Sequence, residues 1–364
     1  MKNTFGQSIA YTLFGESHGE EIGIIIDGLA PGVKIDEDYI RLELSRRRPS
    51  GNISTGRVEA DNFRIVSGVM NGRSTGTPIC ILIPNTNTKS GDYSKLAYLP
   101  RPGHADYSAT CKYHGFQDYR GGGHFSGRLT APIVAAGAIM KTVLAEKGIF
   151  IGTHIKKLAG IADRGFDSGN LKSDINTLRD SNFPVLDREF GDKMREEAEK
   201  AALDGDSVGG VLETVVIGMP SGVGEPWFDS VESVLSHALF SIPAVKGVEF
   251  GDGFALADMR GSCANDSFYT DGKTVSTKTN HNGGINGGIT NGMPIIFRLA
   301  IKPTPSIYKE QDTVNLHDMK NTRLKIEGRH DPSIVHRAAP VTDAVTAMVL
   351  CDLLAGRFGT DHLK

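Results

Sequence analysis

The sequence predicts a layered fold of mixed composition, α+β or α/β. Short β-branched runs, a few strongly periodic helical segments, and the way these interleave in both halves of the chain point to it. The first strand signals are Ile22–Asp27, Phe63–Ser67 and Thr77–Pro84. Between the first two, Asp36 is a natural N-cap for a short helix carrying Ile40 and Leu44 on one face. Pro49 stops that helix, and Arg46-Arg47-Arg48 sit in its last turn, where cations suit the carbonyl end. A second helix is expected from about Pro132 to Lys147, with Ile133, Gly137, Met140 and Leu144 as its stripe and Gly148 as its stop. The charged stretch 186–206 predicts a solvated helix. Gly210–Met219 and Met293–Lys302 predict strands, and Pro340 opens a last helix through Leu354, ended by Gly356. A duplicated unit fits this order, although no repeat shows by residue identity.

The 364 residues suggest two or three domains, or one large core with insertions. Net charge is −3, which leaves no whole-chain footprint for nucleic acid or an acidic membrane. There are 44 glycines, about 12% against a usual ~7%. That excess implies many positive-φ turns and close backbone approaches. Cys80, Cys111, Cys263 and Cys351 lack Cys-x-x-Cys spacing and are expected as buried free thiols in a reducing cytosol. No signal peptide and no uninterrupted apolar stretch of membrane-spanning length is expected.

Gly15-Glu16-Ser17-His18-Gly19 can be read in two ways. As Gly-x-Ser-x-Gly it matches the nucleophile elbow of serine hydrolases, which requires a helix directly after the serine. Here Ile22-Gly23-Ile24-Ile25-Ile26 follows, which favours a strand. Ser17 and His18 are therefore expected between two extended segments, with His18 the more interesting of the pair.

Arg120-Gly121-Gly122-Gly123-His124-Phe125-Ser126-Gly127-Arg128 runs into the second helix, where backbone N–H groups make a ready anion site. It is not a dinucleotide fingerprint, because Ser126 stands where the last glycine belongs. Gly272-Lys273-Thr274 imitates a phosphate loop, but Ser267 replaces its first glycine. Gly283-Gly284-Ile285-Asn286-Gly287-Gly288 suits a flat ligand or a tight turn. Arg46, Arg47, Arg48, Arg57, Arg101, Arg120, Arg128, Arg329 and Arg337 stand beside glycine, proline or histidine. Converging guanidinium forks imply a small polyanionic substrate, with a solvated charge run as the bland alternative. His104 and His330 lie in Gly/Pro-flanked motifs with a carboxylate and an arginine nearby, and no histidine spacing suggests a metal.

Seven motifs in the same order resemble the chorismate synthase family over essentially the whole chain. They are Gly15–Gly19 continuing into Ile26-Asp27-Gly28, Arg46-Arg47-Arg48-Pro49, Arg101-Pro102-Gly103-His104-Ala105-Asp106, the triple glycine through Arg128, Pro243-Ala244-Val245-Lys246-Gly247, Lys302-Pro303-Thr304, and Arg329-His330-Asp331-Pro332. The resemblance implies one domain over 1–364, a β-α-β sandwich with an internal pseudo-two-fold repeat, and a cytoplasmic homotetramer. It implies conversion of 5-enolpyruvylshikimate 3-phosphate to chorismate by anti-1,4-elimination of phosphate, with reduced FMN and no net redox change. NADPH, or an external flavin reductase, would supply the reductant.

By motif position, the resemblance makes His18 the proton donor to the departing phosphate and puts His104 at the flavin. Asp331 would assist the flavin N5. Ser17, Arg48, Arg57, Arg128 and Arg329 would hold substrate. Arg47, Arg48, His124, Phe125, Ser126, Pro243, Ala244, Gly287, Lys302, Pro303, Thr304, Pro305, Ser306 and Arg329 would contact FMN. Many members carry Arg-Ser-Ser-Ala-Arg where this chain has His124-Phe125-Ser126-Gly127-Arg128, so His124 and Phe125 are assigned by backbone position alone. Ser50 also replaces a common glycine. The rival readings are a serine hydrolase built on Ser17 and a non-catalytic anion-binding protein.

Overall fold

The computed structural model describes residues 2–49, 51, 53–54, 60–86, 97–326, 328 and 330–364. Two five-stranded antiparallel sheets enclose a helical layer. The first sheet runs in the order Thr4–Phe5, Ala10–Gly15, Glu21–Asp27, Ile79–Pro84, Arg64–Ser67. The second runs Val245–Phe250, Ile295–Ile301, Gly210–Ile217, Phe150–Leu158, Ile161–Ala162. The helices are α1 (Glu37–Arg47), α2 (Asp106–Tyr113), α3 (Thr130–Glu146), α4 (Leu171–Arg179), α5 (Arg188–Leu203), α6 (Val231–Leu239), α7 (Gly261–Ala264) and α8 (Val335–Phe358).

The inner layer is α3 and α8, packed on each other. Helix α3 lies on the first sheet and α8 on the second, so each half of the chain pairs a sheet with a long apolar helix. Gly137 sets their separation: a Cβ there would lie 2.9 Å from the Ala344 carbonyl carbon and nearer still to its Cα. Both helices are long and apolar enough to cross a membrane by length and composition, although Lys141 interrupts α3 and Asp343 and Asp352 interrupt α8, so neither is an uninterrupted apolar span. Their apolar windows are 78% and 94% buried inside the fold, so the sheets already cover that surface.

Asp36 caps α1 as expected, accepting a hydrogen bond from the Tyr39 amide at 3.0 Å. Pro49 forces Arg48 to ψ 152°, which ends the helix. Helix α8 begins at Val335 rather than Pro340, and Gly356 lies inside it, with Gly359 beyond its end. A proline inside a helix costs about 3 kcal/mol, and the near-complete burial of α8 outweighs that. All four cysteines are free, but only Cys351 is buried; Cys80 is half-buried, while Cys111 and Cys263 are exposed. The apolar neighbours of Cys80 face inward on alternate residues, which turns the cysteine outward.

Candidate active site

Loops from both halves meet at one cleft of about 1180 Å³. The turn Glu16–Glu20 joins two strands of the first sheet, so no helix follows Ser17 and the nucleophile-elbow reading fails. Ser17 and His18 are 1% and 7% exposed. Ser17 Oγ lies 3.1 Å from His18 Nδ1 and donates to the Arg120 carbonyl at 3.3 Å. Asn85 braces the turn, donating to the Glu16 and Gly19 carbonyls at 3.0 and 2.9 Å.

Gly121, Gly122 and Gly123 all take positive φ (60°, 93° and 53°). This lets the chain fold tightly over the His18 ring before entering α3. His124 does not turn its Nδ1 to a ligand; that atom pairs with the Gly15 carbonyl at 2.8 Å. Phe125 is 43% exposed and stacks edge-on against Tyr113, and Ser126 Oγ accepts from the Arg128 amide at 3.2 Å.

The arginine run divides. Arg46 points into the interior, where it meets Glu43 at 3.0 Å and Asp343 at 3.3 Å beside Lys141, so it does not line the cleft. Arg47 reaches Asp61 at 2.8 Å and Thr130 Oγ1 at 3.4 Å. Asp61 also accepts from Arg128, which further donates to Asn85 Oδ1 at 3.1 Å. Burial alone would raise the Asp61 pKa, but Arg47 and Arg128 outweigh it and hold the carboxyl below the ordinary range. Arg48 is half-buried on the cleft wall and donates to the Ala60 carbonyl.

On the opposite wall, Arg101 grips Asp106 through Nε and Nη2 at 2.8 and 2.9 Å, which shapes the loop that holds His104. His104 Nε2 lies 2.8 Å from Ser306 Oγ. Burial, reinforced by Arg101, pulls the His104 pKa down to about 4, so its imidazole is neutral at neutral pH in the free chain. Lys302 donates to the Gly103 carbonyl at 2.5 Å, and its amide donates to Ala244, which sits at φ 73°. Asp331 accepts from Arg337 Nη1 at 2.7 Å.

The cleft thus gathers Arg47, Arg48, Arg128, His104, His124, Phe125, Ser126, Pro243, Ala244, Lys302, Thr304, Pro305, Ser306 and Asp331, with Ser17 and His18 behind Gly121. Ser17 and His18 do not themselves line the cleft, and two expected cofactor contacts, Gly287 and Pro303, do not line it either. Gly287 is exposed in a two-residue hairpin turn with Gly288 (φ 59° and 88°), so its glycine serves the turn. Pro303 does not line the cleft, although its neighbours do. Arg57 and Arg329 lie outside the described residues. Asp61 was invisible in the sequence, because it belongs to no motif. Asp106 and Arg337 were visible as neighbours of histidine motifs but had no assigned role.

The chain matches the family model described as chorismate synthase over residues 9–355. A Pyrococcus abyssi protein named chorismate synthase is 48% identical over 353 residues, 97% of either chain. The chain belongs to the chorismate synthase family. An Aeropyrum pernix chorismate synthase is likewise 48% identical, over 97% of this chain and 93% of its own. A crystal structure of a chorismate synthase superposes with a TM-score of 0.78 at 29% identity, covering 98% of this chain and 96% of that one. The α+β sandwich is therefore the chorismate synthase fold, and the chain is a lyase of the shikimate pathway that forms chorismate.

Proposed function

We propose that this chain, acting as a single domain, eliminates phosphate from 5-enolpyruvylshikimate 3-phosphate with reduced FMN bound in the cleft. One observation carries the reading. Arg47, Arg48, Arg101, Arg128, His104, Lys302 and His330, brought from loops far apart in the chain, all line this one cleft. Guanidinium forks bind phosphate and carboxylate in a bidentate way, so this convergence of cationic and imidazole groups fits a small polyanionic ligand. Room for two ligands, a positive wall for phosphate and carboxylates, and apolar Ile133, Val341, Val345 and Met348 for a flat ring all suit substrate and flavin together.

Reduced flavin, when bound, would lend the substrate an electron and recover it within each turnover. Arg47, Arg48 and Arg128 hold the anionic groups of the substrate, with Asp61 keeping two of the guanidinium groups in place. His18 donates a proton to the departing phosphate, and the turn over Gly121 shields it from bulk water. Asp331 moves the proton that the substrate ring loses. His104, Lys302 and Ser306 hold the cofactor side of the cleft, along with Ser126, Pro243, Ala244, Thr304 and Pro305. The reductant is NADPH acting on this chain or a separate flavin reductase. The family resemblance supports a cytoplasmic homotetramer, in which association could cover exposed aromatic side chains such as Trp227 and Phe228.

The test is anaerobic phosphate release with FMN and the phosphorylated substrate. Release under dithionite without stoichiometric loss of reductant supports the reading, and equal release with no flavin overturns it. Comparing NADPH alone with dithionite separates the two sources of electrons.

A further inference from the structure

Arg337 has no part in the assignments above, yet it touches two of their components. It lies in the first turn of α8, whose position is set by core packing against α3 and the second sheet. Its Nη1 donates to Asp331 Oδ2 at 2.7 Å, and its Nε donates to the Arg47 carbonyl at 3.0 Å. The Arg47 carbonyl belongs to the last turn of α1, where helix carbonyls have no partner within the helix. The guanidinium and carboxylate are 19% and 14% exposed, so water competes little for either. Arg47 in turn reaches Asp61, and Asp61 reaches Arg128.

One planar, fixed fork therefore spans the proton-transfer loop and the end of the anion-binding helix. A lysine cannot make both contacts at these angles, because its ammonium is a single point on a flexible stem. We infer that Arg337 is a positioning residue for the elimination, fixing the Asp331 carboxylate against the arginine-bearing end of α1. This rests on the reading of Asp331 as the proton-transfer carboxylate. Displacing a reacting group by about 1 Å can cost about a hundredfold in rate.

The experiment is a double-mutant cycle on single-turnover phosphate release, with substrate affinity and melting temperature measured on every variant. Arg337→Ala should lower the rate by about ten- to a hundredfold while substrate affinity stays within about threefold. Arg337→Lys should not restore the rate, and added guanidinium should partly rescue Arg337→Ala. In an Asp331→Asn background, Arg337→Ala should cost little more, because the two act as a unit. Arg337→Gln, whose amide can still reach the Arg47 carbonyl, keeps the test informative if the alanine variant fails to fold. Additive losses, or rate and affinity falling in step with melting temperature, would overturn the inference. An inactive Asp331→Asn beside a fully active Arg337→Ala sinks the positioning role alone. Full activity in Asp331→Asn sinks the reading of Asp331, and the inference with it.

Discussion

The His18 imidazole rests directly on the backbone of Gly121: a Cβ at that glycine would lie 2.5 Å from Nδ1 and closer still to Cε1. Gly121 also sits at φ 60°, a conformation that L side chains rarely adopt. Two independent constraints therefore exclude a side chain there, and one of them concerns the proposed general acid.

Gly121→Ala should accordingly act as a displaced His18. Turnover should fall on the order of a hundredfold or more, close to the loss in His18→Ala, since a positioned general acid contributes about 10²–10⁴-fold. Circular dichroism should show a folded protein in both. Wild-type turnover in Gly121→Ala would mean that the His18 ring can move without consequence.

Arg46 and Arg48, two residues apart, should fail in opposite ways. Arg46→Ala leaves the buried Glu43 and Asp343 carboxylates with Lys141 as their remaining ion-pair partner among the described residues. Breaking a buried ion pair costs about 3–5 kcal/mol, so chemical denaturation should show a large loss of stability. Arg48→Ala should keep its melting temperature but weaken substrate binding about tenfold, the worth of one charge-assisted contact. Titration calorimetry and denaturation on the pair decide whether Arg46 or Arg48 faces the substrate.

Acid should destabilise the protein in a window set by its buried histidines. His104 lies at about 4 and His336 at about 3, both below the ordinary 6.5, chiefly because burial disfavours the imidazolium. Between pH 6.5 and those values the unfolded chain binds more protons than the folded one, so stability rises with pH and is lost on acidification. His104→Gln should flatten the fall in melting temperature between pH 6.5 and 4. An anion bound beside His104 would favour its charged form. Binding near pH 5 should therefore take up protons, seen as a dependence of calorimetric heat on buffer.

Gly137→Leu should separate the two core helices. Its side chain would have to occupy space held by the backbone of Ala344, so refitting requires α3 or α8 to shift. Overpacking typically costs about 1–3 kcal/mol and more where backbone blocks the way. A melting temperature within a degree of wild type would show that the α3–α8 contact is looser than the structure has it.

Several elements were legible because their causes are local. Asp36 caps α1 by bonding an amide three residues on, and Pro49 ends the helix by restricting its neighbour. Glycine at Gly121–Gly123 reflects a backbone need that no other residue meets cheaply. Other elements left no such mark. Phe150–Leu158 includes Gly152, His154, Lys156 and Lys157, a poor strand on composition alone. It is a strand because Gly210–Ile217 pairs with it and α4 covers it, Ile175 fitting against Gly152.

The sequence by itself determined which motifs stand in which order, and from that order the family, its chorismate-forming lyase class and many of the polar residues that line the cleft. Tertiary structure alone decided how those residues divide their work. Arg46, Arg47 and Arg48 read as one basic run, but successive side chains on a helix point about 100° apart. One therefore enters the core, while the other two line the cleft, Arg47 paired with Asp61 and Arg48 donating to the Ala60 carbonyl. The pairing of Arg47 with Asp61, of His104 with Ser306 and of Asp331 with Arg337 joins loops brought together by the packing of two sheets on two helices. Local sequence carries no record of such contacts, because each partner gains its meaning only from the charge placed opposite it.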